Sequence, residues 1–234
     1  MRYWLVMPAA GAGRRFGGAK QFALMSQRTV LEFALQPFSD DPQCLGGSIV
    51  LAPGEPRRSE LSARLPSHFE LIEGGQTRAH SVSNGLAGLA ERAAAEDWVL
   101  VHDAARPCLS AADLARLLQG ALHSSHGALL AIPVADTVKR SQPVAAGEPA
   151  ICAATLSRES LWLAQTPQMF RLGPLRAALA QARALGRAPT DEAQAMEWQG
   201  LSAQLIEARD ANFKVTTAAD LLLAQAVLSA REDH

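Results

Sequence analysis

The chain has 234 residues, 48% of them hydrophobic and 19% charged, with 22 Lys and Arg against 23 Asp and Glu for a formal charge of -1. That length is ample for one sizeable core, and the composition excludes a disordered chain. The balance of charge gives no general pull toward nucleic acid or an anionic membrane, and no run of about eighteen apolar residues is present to span a bilayer.

Residues 3–7 form a short apolar run that ends at Pro8 and a glycine turn, the pattern of a buried parallel strand and not of a secretory segment. Similar runs recur at 48–52, 69–72, 98–102 and 128–134. Helical patterns alternate with them. Thr29 is the expected N-cap of a helix over 30–38, residues 78–90 carry Val82, Leu86 and Leu89 at helical spacing, and Ser110 caps a helix holding Leu114, Leu117, Leu118 and Leu122. This alternation predicts an α/β fold: a Rossmann-like, mostly parallel sheet flanked by helices, in one domain over residues 1–234.

Residues 136–158 break the rhythm with Lys139, Arg140, Pro143, Gly147 and Pro149, followed by a β-compatible stretch. They predict a protruding two-stranded β-arm with a loose tip. An arm too thin for its own core needs a surface to lie against, and a second subunit is one candidate. Beyond it we expect a helix with Pro174 in its first turn, a helix capped by Thr190 and closed near Gly200, a short strand at 205–206 and a last helix from Thr217. Trp162, Phe170 and Trp198 read as core. The three cysteines, Cys44, Cys108 and Cys152, are scattered and form no CxxC pair, which fits free thiols in the cytoplasm better than a disulfide framework or a structural zinc site.

The chemistry is announced by the loop after the first run, Pro8-Ala-Ala-Gly11-Ala-Gly13-Arg14-Arg15-Phe16-Gly17-Gly18-Ala19-Lys20-Gln21. Glycines after a buried strand let backbone N–H groups approach phosphate oxygens, and Arg15 and Lys20 add permanent positive charge. The dinucleotide fingerprint GxGxxG fails because Phe16 stands where its third glycine belongs, which disfavours a nicotinamide dehydrogenase. The P-loop fails as well: Ala19 precedes Lys20, and Gln21 replaces the metal-binding hydroxyl. Ligands of open α/β sheets bind at this carboxyl edge, so the loop reads as a phosphate loop of another kind.

Further motifs follow in order: Val101-His-Asp-Ala-Ala-Arg-Pro107, Asp136-Thr-Val-Lys-Arg140, Thr166-Pro-Gln168, Thr190-Asp-Glu-Ala193 and Asn212-Phe-Lys-Val-Thr216. With the loop, these resemble the 2-C-methyl-D-erythritol 4-phosphate cytidylyltransferases of the non-mevalonate isoprenoid pathway over nearly the whole chain. The resemblance implies transfer of CMP from CTP to a small polyol phosphate, with Mg2+ or another divalent cation as cofactor, in a homodimer. By the same resemblance, Arg15 and Lys20 stabilise charge at the α-phosphate, while Arg158 and Lys214 position the acceptor phosphate. The arm carries Thr137 and Arg158 to the neighbour's site. Pro8, Ala9, Ala10, Gly11, Gly75, Gln76 and Ser81 build the cytosine pocket. Asp103, the one implied metal ligand, and Arg106 lie near the ribose and phosphates, and Gly13, Ala104 and Thr166 complete the nucleotide site.

Bland roles compete with several of these. Asp103 pairs with Arg106 at a strand end, His102 is a core or supporting histidine, Arg140 is surface charge, and Asp191 and Glu192 only complement a helix dipole. Lys214 between Phe213 and Val215 is odd for an interior strand unless its ammonium meets an anion. The nearest rival activity is the same transfer to ribitol 5-phosphate. Farther off stand a nucleotidyltransferase for another base and a catalytically silent nucleotide-binding regulator. Two departures from the family pattern stand out: Ala19-Lys20-Gln21-Phe22 replaces the usual Pro-Lys-Gln-Tyr, and the stretch from Arg15 to Lys20 is short.

Overall fold

The computed structural model describes residues 1–13, 15–145 and 147–232. Strand β1, Tyr3–Ala9, sits deep in the sheet because it is apolar on both faces. Its alternation sends Tyr3, Leu5 and Met7 to one side and Trp4 and Val6 to the other. A small two-stranded turn, β2 (Leu24–Met25) and β3 (Arg28–Thr29), leads into α1, Val30–Ser39. Thr29 caps α1 as expected, and Glu32 closes a reciprocal capping box. Strand β4 (Cys44–Leu51), helix α2 (Arg58–Arg64), strand β5 (Phe69–Glu73), helix α3 (Arg78–Gly88) and strand β6 (Trp98–Val101) follow. Then come α4 (Ala111–Leu122), capped by Ser110, and β7 (Ala128–Pro133).

The arm is present: β8 (Val138–Ser141) pairs antiparallel with β9 (Cys152–Leu156) in a sheet of its own. Residue 146 of its tip lies outside the described residues. Next is a strand that periodicity did not reveal. β10, Trp162–Arg171, runs antiparallel between β6 and β7 and carries the Thr166-Pro-Gln168 motif. The chain ends with α5 (Leu172–Ala184), α6 (Glu192–Glu197), β11 (Gln204–Glu207) and α7 (Ala218–Glu232).

The seven-stranded sheet has the order β11-β7-β10-β6-β1-β4-β5. All its pairings are parallel except the two made by β10. Leu31, Phe38, Leu114 and Leu117 of α1 and α4 cover one face; Val82, Leu86, Leu175, Leu179 and Met196 of α3, α5 and α6 cover the other. Among the described residues no helix is long and apolar enough to cross a membrane. Three expectations need correction. Asp191, not Thr190, caps α6, because its carboxylate accepts from the Gln194 amide. Trp162 and Trp198 are each 37% exposed, unlike Phe170, which is buried. Lys214 lies on an irregular strap, residues 209–216, and not on a strand.

Candidate active site

The carboxyl ends of β1, β5 and β6 open into one cleft of about 450 Å3. Pro8, Ala9, Ala10, Gly11, Gly13, Arg15, Lys20, Gly75, Gln76, Ser81, Asp103, Ala104 and Lys214 all line it. The structure thus brings together thirteen of the sequence-derived site residues. Arg14 lies outside the described residues.

One wall is the loop after β1. Gly13 adopts φ +62°, and its carbonyl accepts from the amides of Phe16, Gly17 and Gly18. A Cβ there would stand 1.8 Å from the Gly18 carbonyl oxygen, so the turn needs glycine. Gln21 anchors the far end: its buried amide donates to the carbonyls of Ala9 (2.6 Å) and Gly11 (3.1 Å). Those bonds draw Lys20 over the cleft. The Lys20 ammonium is pushed below its ordinary value, first by burial and then by the charges of Lys214 and Arg15, with Asp103 opposing. Two lysines and an arginine that disfavour one another in one cleft make a place for an anion.

The floor turns around Ser81 on α3. Its hydroxyl accepts from the Gly75 amide (3.1 Å) and donates to the Thr77 carbonyl (3.0 Å). A side chain at Gly75 would meet the His80 ring at 2.2 Å. Small residues at Ala9, Ala10, Gly11 and Gly75 leave a flat slot edged by backbone polar groups, a form suited to a planar base.

Asp103 is the centre of charge. Its Oδ1 accepts from Arg78 Nε at 2.9 Å and its Oδ2 from Lys214 Nζ at 2.6 Å. Burial alone would raise this carboxyl; Arg78 and Lys214, with Arg106 farther off, outweigh it and hold it well below the usual carboxylate range. Arg106, expected near the ribose and phosphates, does not line the cleft; it donates to the Asn212 carbonyl at 2.7 Å. Lys214 thus meets an anion within the protein, although it lies on no strand. Arg78 also grips Glu192 through both terminal nitrogens, at 2.7 and 3.1 Å. Glu192 is 1% exposed, so it acts as an ionic anchor and does more than complement the α6 dipole. Burial pushes its carboxyl up, against the pull of the Arg78 guanidinium, which donates to both of its oxygens.

Sequence reasoning passed over Arg78. The signal was there: a cation at the first position of a helix opposes the helix dipole and calls for a nearby carboxylate. Thr77 also lines the cleft, as do Phe16 and Thr216, which the motifs contain but to which no site role was given.

Thr166 does not line the cleft; it works behind it. Burial pushes the His102 imidazole down to about 4, so the ring is neutral at pH 7. Its Nε2 faces the Arg106 carbonyl at 3.1 Å and must carry the proton. Nδ1 then accepts from the Thr166 hydroxyl (3.1 Å), whose oxygen accepts from the Asp103 amide (3.0 Å). Gln168 supports the other side: it donates to Asp191 and accepts from the Ala193 amide, fixing the start of α6 and hence Glu192.

Thr137 and Arg158 are exposed at the base of the arm and take no part in lining the cleft. Asp103 is the one carboxylate among the lining residues, and no group of three His, Cys, Asp or Glu converges anywhere among the described residues. Such donors do not make a protein-held metal centre. They fit a divalent cation carried mainly by phosphate oxygens and water, with a single protein carboxylate nearby.

The chain matches, over residues 3–230, the family model for 2-C-methyl-D-erythritol 4-phosphate cytidylyltransferase. A protein of that name from Acidithiobacillus ferrooxidans is 47% identical, with 100% of this chain and 99% of that protein aligned. A crystal structure of a 4-diphosphocytidyl-2C-methyl-D-erythritol synthase superposes with a TM-score of 0.82 at 37% identity, covering 97% of this chain and 98% of that one. The Francisella tularensis 2-C-methyl-D-erythritol 4-phosphate cytidylyltransferase does so at 0.80 and 33%, covering 97% and 100%. With this agreement along the whole length, the chain belongs to the 2-C-methyl-D-erythritol 4-phosphate cytidylyltransferase family.

Proposed function

We propose that the cleft transfers CMP from CTP to 2-C-methyl-D-erythritol 4-phosphate, releasing pyrophosphate, as a step in making isoprenoid precursors. The observation that carries this is the charge of the cleft: Arg15, Lys20, Arg78 and Lys214 face a single lining carboxylate, Asp103. A phosphate oxygen of the acceptor attacks the α-phosphorus of CTP, a new P–O bond forms, and the bond from the α-phosphorus to the bridging oxygen of pyrophosphate breaks. Both reactants are anions, so the protein must offset their repulsion and hold the charge that develops. Arg15 and Lys20 reach the α-phosphate and leaving group from the loop wall. Lys214, on the opposite wall, takes the acceptor phosphate, exchanging one oxygen of Asp103 for an oxygen of the substrate. The small-residue slot between Ala10 and Gly75 takes cytosine, and Arg78 keeps the Asp103 carboxylate in place for the ribose. Arg106, held on the Asn212 carbonyl, and Thr166 support that carboxylate and the strap from behind. Mg2+ would arrive with the triphosphate and supply further charge neutralisation, with Asp103 as its protein neighbour.

We place the working form as a cytoplasmic homodimer, in which the partner's arm brings Thr137 and Arg158 to each cleft. The exposed Ile151 and Leu156 of the arm and Trp162 and Leu163 at the start of β10 support this, since they offer an apolar surface for a second copy. Light scattering at micromolar protein should give twice the chain mass, and a fully active monomer would end the shared-site part of the reading.

The deciding experiment is pyrophosphate release with CTP and 2-C-methyl-D-erythritol 4-phosphate, beside ribitol 5-phosphate and beside ATP, GTP and UTP, with and without EDTA. Release that needs CTP, the methylerythritol phosphate and a divalent cation supports the reading. Equal release with ribitol 5-phosphate would overturn the acceptor assignment, and full activity in EDTA would overturn the role given to the cation.

A further inference from the structure

Lys214 owes its position to no regular element. The strap over 209–216 has no sheet ladder and no helical bonds of its own, so its geometry depends on whatever ties it down. Three ties lie close to the cleft: the Asn212 amide donates to Gln165 Oε1 and the Thr166 carbonyl, Arg106 donates to the Asn212 carbonyl, and the Val215 amide donates to the Ala105 carbonyl. A further tie, at the start of the strap, lies outside it. Asp113, in the first turn of α4, is 0% exposed and accepts from the Arg209 amide at 3.0 Å and the Asp210 amide at 3.1 Å, one on each carboxylate oxygen. Arg116, one turn on, pairs with the same carboxylate, and Ser110, the cap of α4, donates to the Asp210 carboxylate.

A helix need not bury a carboxylate in its first turn to be capped; Ser110 already does that. A buried charge is kept only where it is bonded on all sides, and the partners of Asp113 lie within α4 and on the strap. We propose that Asp113 is a positioning residue for the transfer reaction: it fixes the start of the strap so that Lys214 meets the acceptor phosphate, although Asp113 touches neither substrate. This rests on the assignment of Lys214 to that phosphate. Only Ala211, Asn212 and Phe213 separate Asp210 from Lys214, too short a run to absorb slack, so loosening the amides held by Asp113 shifts the ammonium.

The test is a double-mutant cycle of Asp113→Asn with Lys214→Met, read as kcat/KM for the acceptor together with direct binding of CTP in its absence. Asparagine presents one oxygen and one NH2, so one strap amide loses its acceptor and faces a donor. We expect Asp113→Asn to lower kcat/KM for the acceptor by about 10- to 100-fold, the scale of a small misplacement of a reacting partner, with CTP affinity unchanged. In the Lys214→Met background the same substitution should have almost no further effect. Arg116→Ala, which leaves both strap bonds in place, should keep the acceptor KM. If Asp113→Asn does not fold, Ser110→Ala carries the same cycle, with a smaller loss of the same sign. Equal loss of CTP binding, or losses that simply multiply in the double variant, would overturn the proposal. Near-normal activity of Lys214→Met alone would instead overturn the role given to Lys214.

Discussion

The two walls of the cleft are built on opposite plans. The loop wall, from Gly11 to Lys20, is largely exposed and hangs on a glycine turn at one end and the Gln21 amide at the other. The strap wall, from Arg209 to Thr216, is also irregular, but side chains stitch it to α4, to β10 and to the turn after β6, and Val215 is buried in a small cluster with Met25, Val30 and Ala224. The difference matches the tasks proposed for the walls. The loop must let a triphosphate in and then follow the charge as it moves. The strap must hold a single ammonium at one point while a flexible polyol phosphate finds it. With those tasks, preorganisation is concentrated on the side proposed to meet the attacking group.

The largest expected effect comes from removing loop charge. Arg15→Ala or Lys20→Ala should each lower kcat by roughly 10²–10³, the loss seen when one transition-state donor is removed. Thermal stability should hardly move, since Arg15 is exposed and Lys20 half-buried. Steady-state kinetics beside a melting curve checks both halves, and a variant with normal kcat would remove that residue from the chemistry.

The strap should answer in the opposite currency. Asn212 is 1% exposed, and its amide serves two acceptors, Gln165 Oε1 and the Thr166 carbonyl. Asn212→Ala strands both and should cost roughly 2 kcal/mol, which lowers the melting temperature by about 4–8 °C for a chain this size. Gly13→Ala is the matched loop variant: its new Cβ has no room beside Gly18, so CTP binding should weaken while melting changes far less. If Gly13→Ala melts as early as Asn212→Ala, the contrast between the walls fails.

This contrast also marks what the sequence could disclose. Glycines, Arg15 and Lys20 at the end of an apolar run are local signals, and the loop wall was legible almost residue by residue. The sheet, its helices, the cap at Thr29 and the arm over 136–158 were legible for the same reason, because periodicity and capping are short-range. The strap was readable only as a motif. Lys214 looked wrong for a strand, but nothing near it in sequence names Asp103, 111 residues away. β10 was missed because its exposed first residues and its proline hide a strand that is buried farther along. Arg78 and Glu192, 114 residues apart, form a pair that no window can show. The motifs at 166–168 and 190–193 mark residues that hold other residues, and that task is invisible until the chain is folded.

The smallest effect tests where the strap ends. Asp220 closes it onto α7: its carboxylate accepts from the amides of Thr216 and Thr217 and from the Thr216 hydroxyl. These bonds pull the carboxyl down to about 2. A carboxylate whose pKa falls on folding stabilises the fold above its unfolded value near 4, and that contribution is lost as the pH drops through about 2. Asp220→Asn keeps the shape and one oxygen for the three bonds, all of which fall on Oδ2, but loses the charge that strengthens them. At pH 7 it should cost about 1 kcal/mol, the usual scale of a lost helix cap. Its melting curve should approach that of the unsubstituted chain as the pH is lowered from 4 toward 2. Because Thr216 lines the cleft only two residues from Lys214, the variant should also raise the acceptor KM slightly while leaving CTP binding alone. A stability loss that stays constant across that pH range would show that packing of α7 against Met25 and Cys108, and not the carboxylate, secures this end of the strap.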